Sequence, residues 1–329
     1  MIAKTPVVGS ALLLSAAAFL AACGGGGRDA GVTASAPVAI SSANATQVAA
    51  AGVDAADGLT GSTSGILGVV PAATGQGHAT DVNVVATLIG SVRQAPQANT
   101  GGGVHAAAVL NQTESCDSGS ISLSFNDADN DQALSTGDSV TLSASHCVSG
   151  GVSLDGSISM NGLIVSGDQI TPPYSLQFSL NTNGFTVSAG GETVSIRGAG
   201  TIAESSNDGV SSVSSFSGSG IEISTSGETL SLTDYQITET HNDATGAYTY
   251  AIDATISSTT LGGSVHVITD VALSGVGAFD PDAGQIRCVG ADNSSVKLSV
   301  IDSASVQLEV DADGDGIADN VYTESWTAL

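Results

Sequence analysis

From Cys116 onward the chain repeats one short pattern, in which apolar and polar residues alternate. Ile121-Ser-Leu-Ser-Phe125, Val152-Ser-Leu-Asp-Gly-Ser-Ile-Ser-Met160, Leu176-Gln-Phe-Ser-Leu180, Ile221-Glu-Ile-Ser, Val296-Lys-Leu-Ser-Val300 and Val306-Gln-Leu-Glu-Val310 all carry it. A period of two puts every second side chain on the same face, so these runs predict strands with one buried and one wet face. Asn183-Gly184, Gly190-Gly191, Asp208-Gly209, Asn242-Asp243 and Asp280-Pro281-Asp282-Ala283-Gly284 separate them as turns. Such connections are too short for the crossovers a parallel sheet needs. The expected architecture is therefore mainly β: a large curved antiparallel meander of roughly 10–13 strands, drawn into a half-barrel or barrel because so wide a sheet curls or closes. A β-solenoid is the competing architecture, and the absence of a fixed period ranks it second.

The residues before Cys116 read differently. Ser41 to Gly58 is rich in alanine, begins with Ser41 or Ser42 as helix cap and ends at a glycine. Asp81 to Gln94 places Val82, Val84, Val85, Leu88, Ile89 and Val92 on an apolar stripe, capped by Thr80 or Asp81. Two short N-terminal helices are thus expected to pack against the sheet. Residues 41–115 form a helical and loop segment, and residues 116–329 form the antiparallel β domain.

Met1 to Ala22 is laid out as a secretory signal, with one cation at Lys4, an apolar run from Val7 to Leu20, and small residues before Cys23. Leu20-Ala21-Ala22-Cys23 resembles the lipobox of bacterial lipoproteins. That resemblance implies removal of residues 1–22, a covalent lipid on Cys23, and a membrane anchor. Several acyl chains on one residue hold firmly, because each buried CH₂ contributes about 0.8 kcal/mol. Gly24 stands where inner-membrane retention signals carry aspartate, which points to the outer membrane of a Gram-negative cell envelope. Residues 23–40 are the lipidated cysteine and a small-residue tether. About 17 residues of such coil average roughly 20–25 Å end to end.

Without residues 1–22 the chain keeps five basic residues against 32 acidic ones, a net charge of −27. Nucleic acids and anionic headgroups both need clustered cations, so nucleic acid is excluded as a partner. Aromatic residues make up only 4%. That is too few for the stacking platforms of carbohydrate or single-strand sites, or for the aromatic girdles of a transmembrane barrel.

Three cysteines follow Cys23. Opposed residues in an antiparallel hairpin have a nearly constant index sum. The numbers 116 and 147 add to 263, against 265 for the loop ends 127 and 138, so Cys116 and Cys147 are expected to form a disulfide in an oxidising compartment. Cys288 remains, as a buried free thiol.

Two Asp-rich loops carry the clearest chemistry. Asp127, Asp129, Asp131, Ser135 and Asp138 occupy positions 1, 3, 5, 9 and 12 of a loop whose position 7 offers the Ala133 carbonyl. This is the ligand spacing of an EF-hand, with aspartate for the terminal glutamate and Gln132 for the turn glycine. Asp311, Asp313, Asp315 and Asp319 repeat positions 1, 3, 5 and 9, with the Ile317 carbonyl at position 7 and Gly316 at position 6. Over about nine residues this second loop resembles thrombospondin-type-3 and dockerin loops. Alternating carboxylates crowd like charges that a hard cation neutralises, so Ca²⁺ is the expected cofactor beside the lipid on Cys23. Catalytic motifs are missing: there is no nucleophile elbow opening a helix, no His-Glu-x-x-His and no phosphate loop. His146, adjacent to Cys147, points to the opposite face of a strand. The chain is therefore expected not to be an enzyme.

The lipobox, the segment from Cys116 to Cys147 with its Asp-rich loop, and the closing segment from Asp311 to Trp326 together resemble a group of uncharacterised proteobacterial lipoproteins. The resemblance extends in layout over residues 41–329 and implies the fold and the location, without an activity. The leading expectation is a non-enzymatic, membrane-anchored lipoprotein stabilised by calcium. The alternatives are a carrier of lipid or another hydrophobic ligand, and a surface adhesin or complex subunit. Beyond the membrane, a protein or hydrophobic partner stays open.

Overall fold

A computed structural model describes residues 35–60, 108–130, 135–168, 171–189, 191–225, 227–277 and 280–329. Fourteen strands form one sheet in strict sequence order, every neighbouring pair antiparallel. They run β1 (Ala108–Ser115), β2 (Ser118–Asp127), β3 (Ser139–Ser149), β4 (Val152–Asp168), β5 (Thr171–Ala189), β6 (Glu192–Ser206) and β7 (Ser211–Ser224). The remainder are β8 (Thr229–Asn242), β9 (Ala247–Ser258), β10 (Gly263–Val276), β11 (Ala283–Val289), β12 (Ser295–Asp302), β13 (Ser305–Asp311) and β14 (Asn320–Ser325). The expected meander is present, one strand wider than the upper bound. Its first strand starts at Ala108, eight residues ahead of the expected start of the β region at Cys116. Val109 and Leu110 pair with Asn126 and Phe125, although Ala108–Ser115 shows little alternation in sequence.

Among the described residues the sheet stays open, so the expectation of a closed barrel is corrected: there β1 pairs only with β2, and β14 only with β13. Among the described residues a single α-helix, α1 (Ala45–Thr60), covers part of the apolar face instead. It packs on β8, β9, β11, β12 and β13. Ala45, Val48, Ala49 and Ala55 of α1 are buried against that face. They share a helical stripe with Gly52, where an added Cβ would stand 2.8 Å from the Cys288 sulfur. Small residues on this stripe let the helix sit close to the strands, and its cover does for these strands what closure would otherwise do. The expected caps Ser41 and Ser42 lie one turn early. Val48 N–H donates to the Asn44 carbonyl, making Asn44 the residue at which the helix starts. The Asn44 side chain turns back to accept from Ser41 N–H. The second expected helix, residues 81–94, lies outside the described residues.

Within the sheet the buried side chains line up across strands as the alternation requires. Phe178, Ile202, Phe216, Ile237 and Ile252 oppose one another on consecutive strands β5 to β9 and are all buried. Tyr235 is the exception to simple alternation. It follows Asp234, whose φ is 49°, and its ring lies over Gly200 and Gly218, donating to the Ala199 carbonyl at 3.0 Å. A Cβ at Gly200 would come within 2.3 Å of its hydroxyl oxygen. The two glycines make room for the hydroxyl end of the Tyr235 ring.

Residues 35–40, expected as flexible tether, are corrected to an ordered strap. Ser264 N–H donates to the Ala36 carbonyl, Val38 N–H to the Ser264 carbonyl, and Ala291 N–H to the Val38 carbonyl. Pro37 forms a parallel bridge with Ser264. The β10–β11 pairing begins only at His266, so the strap satisfies backbone groups that the ladder leaves over at the start of β10. Backbone hydrogen bonding orders this segment where its composition would not.

Cys116, in the β1–β2 turn, is disulfide-bonded to Cys147 on β3, with Cα atoms 5.4 Å apart, as the index argument expects. The bridge closes 31 residues that include the β2–β3 hairpin. In the loop-entropy model such closure contributes about 3–4 kcal/mol. Replacing both cysteines by alanine should lower the unfolding free energy by about that amount, measured by urea denaturation of oxidised wild type and variant.

Candidate metal centres

Both Asp-rich segments fold as hairpin loops, at opposite ends of the strands. The first joins β2 to β3, and the second joins β13 to β14. Asp127 and Asp138 close the first loop where the strand pair ends, and both are fully buried. Asp138 accepts from Ala128 N–H at 2.8 Å and from Ser135 N–H at 2.6 Å. Asp127 accepts from Asn130 N–H, a residue in the left-handed region at φ 64°. Ser135 Oγ donates to Asp129 at 3.2 Å. Carboxylate oxygens of Asp127, Asp129 and Asp138 lie within 4.8 Å of one another. Of the expected ligands, Asp131 and Ala133 lie outside the described residues.

The second loop repeats this plan. Asp311, nearly buried, accepts from Gly314 N–H and Gly316 N–H, both at 2.8 Å. Asp319 accepts from Ala312 N–H at 2.8 Å, the counterpart of Asp138 holding Ala128. Asp315 accepts from Ile317 N–H at 2.8 Å, and Asp313 from Asp315 N–H at 3.2 Å. Asp311, Asp313 and Asp315 form a cluster within 4.8 Å. Asp319 is not part of that cluster; its carboxylate ties the two ends of the loop together. Gly314 and Gly316 take φ of 75° and 86°. Gly314 is also sterically required, because a Cβ there would meet the Asp292 carbonyl at 2.3 Å.

In each loop the first aspartate accepts from the residue three places on, and the last holds the residue that follows the first. Backbone N–H groups thereby point the carboxylates inward and leave oxygen atoms converging at short range. Three like charges so close repel one another, and a hard divalent cation with oxygen ligands is the species suited to the donor set. Protein cations do not serve. Arg197, Arg287 and Lys297, the three lysine or arginine residues among those described, pair with Glu222, Asp270 and Glu309 at 2.8, 2.8 and 2.7 Å. The Asp270 carboxyl is held below the usual carboxylate range by its hydrogen bonds from Arg287.

The remaining reactive groups are placed apart from these loops. Cys288 is buried beneath α1, with Sγ 3.8 Å from the Val48 carbonyl, and burial pushes its thiol up to about 12. It is a neutral core side chain. His146, His241 and His266 each face a nearby aspartate, Asp155, Asp243 and Asp253 respectively. Cys23, the expected lipidation site, lies outside the described residues. No protein-family model, curated protein or solved structure matches this chain.

Two outcomes are expected. Saturating Ca²⁺ at about 100 times its dissociation constant stabilises by about 2.7 kcal/mol per site, or roughly 5–10 °C in a domain of this size. Calorimetry with Ca²⁺ and with EGTA should show that shift, and Asp129→Asn and Asp313→Asn should each reduce it. An unmoved midpoint would reduce both loops to turns. Cys288 favours folding while its thiol is protonated. This preference is complete below about pH 9 and fades as pH rises toward about 12. Urea midpoints should fall over that window in wild type and less steeply in Cys288→Ala.

Proposed function

We propose that the chain is a non-enzymatic lipoprotein of the bacterial cell envelope, acylated at Cys23, anchored in the outer membrane, and stiffened by Ca²⁺ in two hairpin loops. The observation that carries the calcium reading is the shared plan of the two acidic clusters, each aimed inward by backbone N–H groups. The lipobox at Leu20–Cys23 carries the anchor. The disulfide Cys116–Cys147 is in keeping with an exported chain, since such bonds persist in oxidising compartments.

A divalent ion in either loop would neutralise carboxylates at the end of a hairpin, where strands fray first. Its role is mechanical: it would hold β2 to β3 at one end of the sheet and β13 to β14 at the other. Asp127, Asp129 and Asp138 would hold it in the first loop, and Asp311, Asp313 and Asp315 in the second.

Carriage of a hydrophobic ligand is the second reading. Partly buried Ile121, Leu123, Leu142, Leu154, Val187 and Val194 favour it, since they extend the apolar core across β2 to β6.

Mass spectrometry of the protein purified from membranes tests the anchor. The expected result is a mature chain beginning at Cys23 with an acyl mass on its first residue, and extraction only by detergent. An unmodified chain starting elsewhere and released by salt would end the lipoprotein reading.

A further inference from the structure

Registers through the middle of the sheet fix which side chains share a face. The buried row Phe178, Ile202, Phe216, Ile237 and Ile252 defines the apolar face of β5 to β9. Two residues nearer the β6–β7 and β8–β9 turns, the same face carries Leu176, Glu204, Ser214, Glu239 and Tyr250, each opposite the next. Two residues further out stand Tyr174, Ser206, Ser212, His241 and Tyr248. A face that is apolar at Phe216 and Ile237 therefore turns polar toward its end, with a carboxylate on either side of a serine.

Ser214 is 7% exposed and makes no side-chain hydrogen bond among the described residues. Every fully enclosed side-chain oxygen or nitrogen among these residues has a partner, so the Ser214 hydroxyl opens on a space that solvent reaches. Glu204 and Glu239 flank it, one strand away on each side, and both are half-buried. Their backbones stand about 4.8 Å from that of Ser214, a gap that a glutamate side chain spans. Tyr174 Oη donates to Glu204 Oε1 at 2.8 Å and steadies that carboxylate. Buried Tyr250 stands beside Glu239, its ring stacked on Tyr248. Two carboxylates aimed at one point repel, and a cation between them relieves the repulsion.

We propose that Glu204, Ser214 and Glu239 form a binding site for a small primary amine. An ammonium group has three N–H donors, and these residues set three acceptors around one point. Among the described residues no third carboxylate or imidazole closes with Glu204 and Glu239 to within 4.8 Å, so a divalent metal is not the cation the site fits. Ser214 lies three residues in from Ser211 at the start of β7, about 10 Å. A lysine stem spans only about 6 Å, so the occupant is a free amine and not a protein side chain. The site uses residues of neither acidic loop and depends on neither calcium nor acylation at Cys23.

Calorimetric titration of the full chain with n-butylammonium, at physiological ionic strength and with EGTA present, tests the assignment. One equivalent should bind. Butyltrimethylammonium has no N–H to donate, and Nα-acetyl-lysine amide carries its ammonium on too short a stem; each should bind at least tenfold more weakly. Glu204→Gln and Glu239→Gln should each weaken n-butylammonium at least tenfold, with unfolding midpoints unchanged because glutamine keeps the shape. Glu222→Gln, on the opposite face beside Arg197, should leave the affinity as it is, and so should Asp129→Asn combined with Asp313→Asn. Absence of binding, equal affinity for the quaternary ion, or loss in the loop variant but not at Glu204 overturns the site. Equal affinity for the blocked lysine overturns the free amine as its occupant.

Discussion

Every strand in this protein takes its sheet partners from its immediate neighbours in the chain. That single constraint, backbone hydrogen bonding between consecutive strands, organises the molecule. It makes each connection a short turn, places alternate turns at opposite ends, and leaves two edges at the first and last strands. Such local pairing costs little loop entropy per strand. The consequence is a wide sheet whose apolar face must be covered from elsewhere. Helix α1 covers it over β8 to β13, and the strap ahead of the helix pairs with the edge left open at the start of β10.

The acidic loops belong to the same logic. A hairpin end is where the ladder stops and backbone N–H groups lose their partners. In both loops aspartate side chains take those groups, and in doing so turn their remaining oxygens toward one another. The crowding that makes these loops suited to a cation is thus a by-product of capping two hairpins with carboxylates. Chemistry and fold meet at the same residues, Asp127 and Asp138 in one loop and Asp311 and Asp319 in the other. Three aspartates converge in each loop among the described residues, Ser135 Oγ stands 3.2 Å from Asp129 in the first, and Asp319 is used as a clasp in the second.

Much of this was legible in advance. Alternation from Ile121 to Val310 named the strands, and glycine-containing pairs named the turns, because the side-chain period of a strand is a local property. The index sum placed Cys116 opposite Cys147 for the same reason, a hairpin being a local object. The errors arose where order depends on distant contacts. Ala108–Ser115 shows weak alternation and is a strand because β2 offers it an edge. Residues 35–40 look like linker and are ordered because the start of β10 lacks a partner. Gly200 and Gly218 carried no signal of the ring that rests on them, since Tyr235 comes from another strand.

The sequence by itself determined most of the strands after Cys116, their pairing order, the disulfide and the positions of the acidic loops, all of which follow from residues close together in the chain. Only the tertiary structure decided that the sheet stays open, that α1 lies over β8 to β13, and that the N-terminal strap and the β13–β14 loop meet at one end. Those outcomes depend on which buried surfaces and unpaired backbone groups can be satisfied together. That is a competition among residues far apart in the chain, and no local pattern records its result.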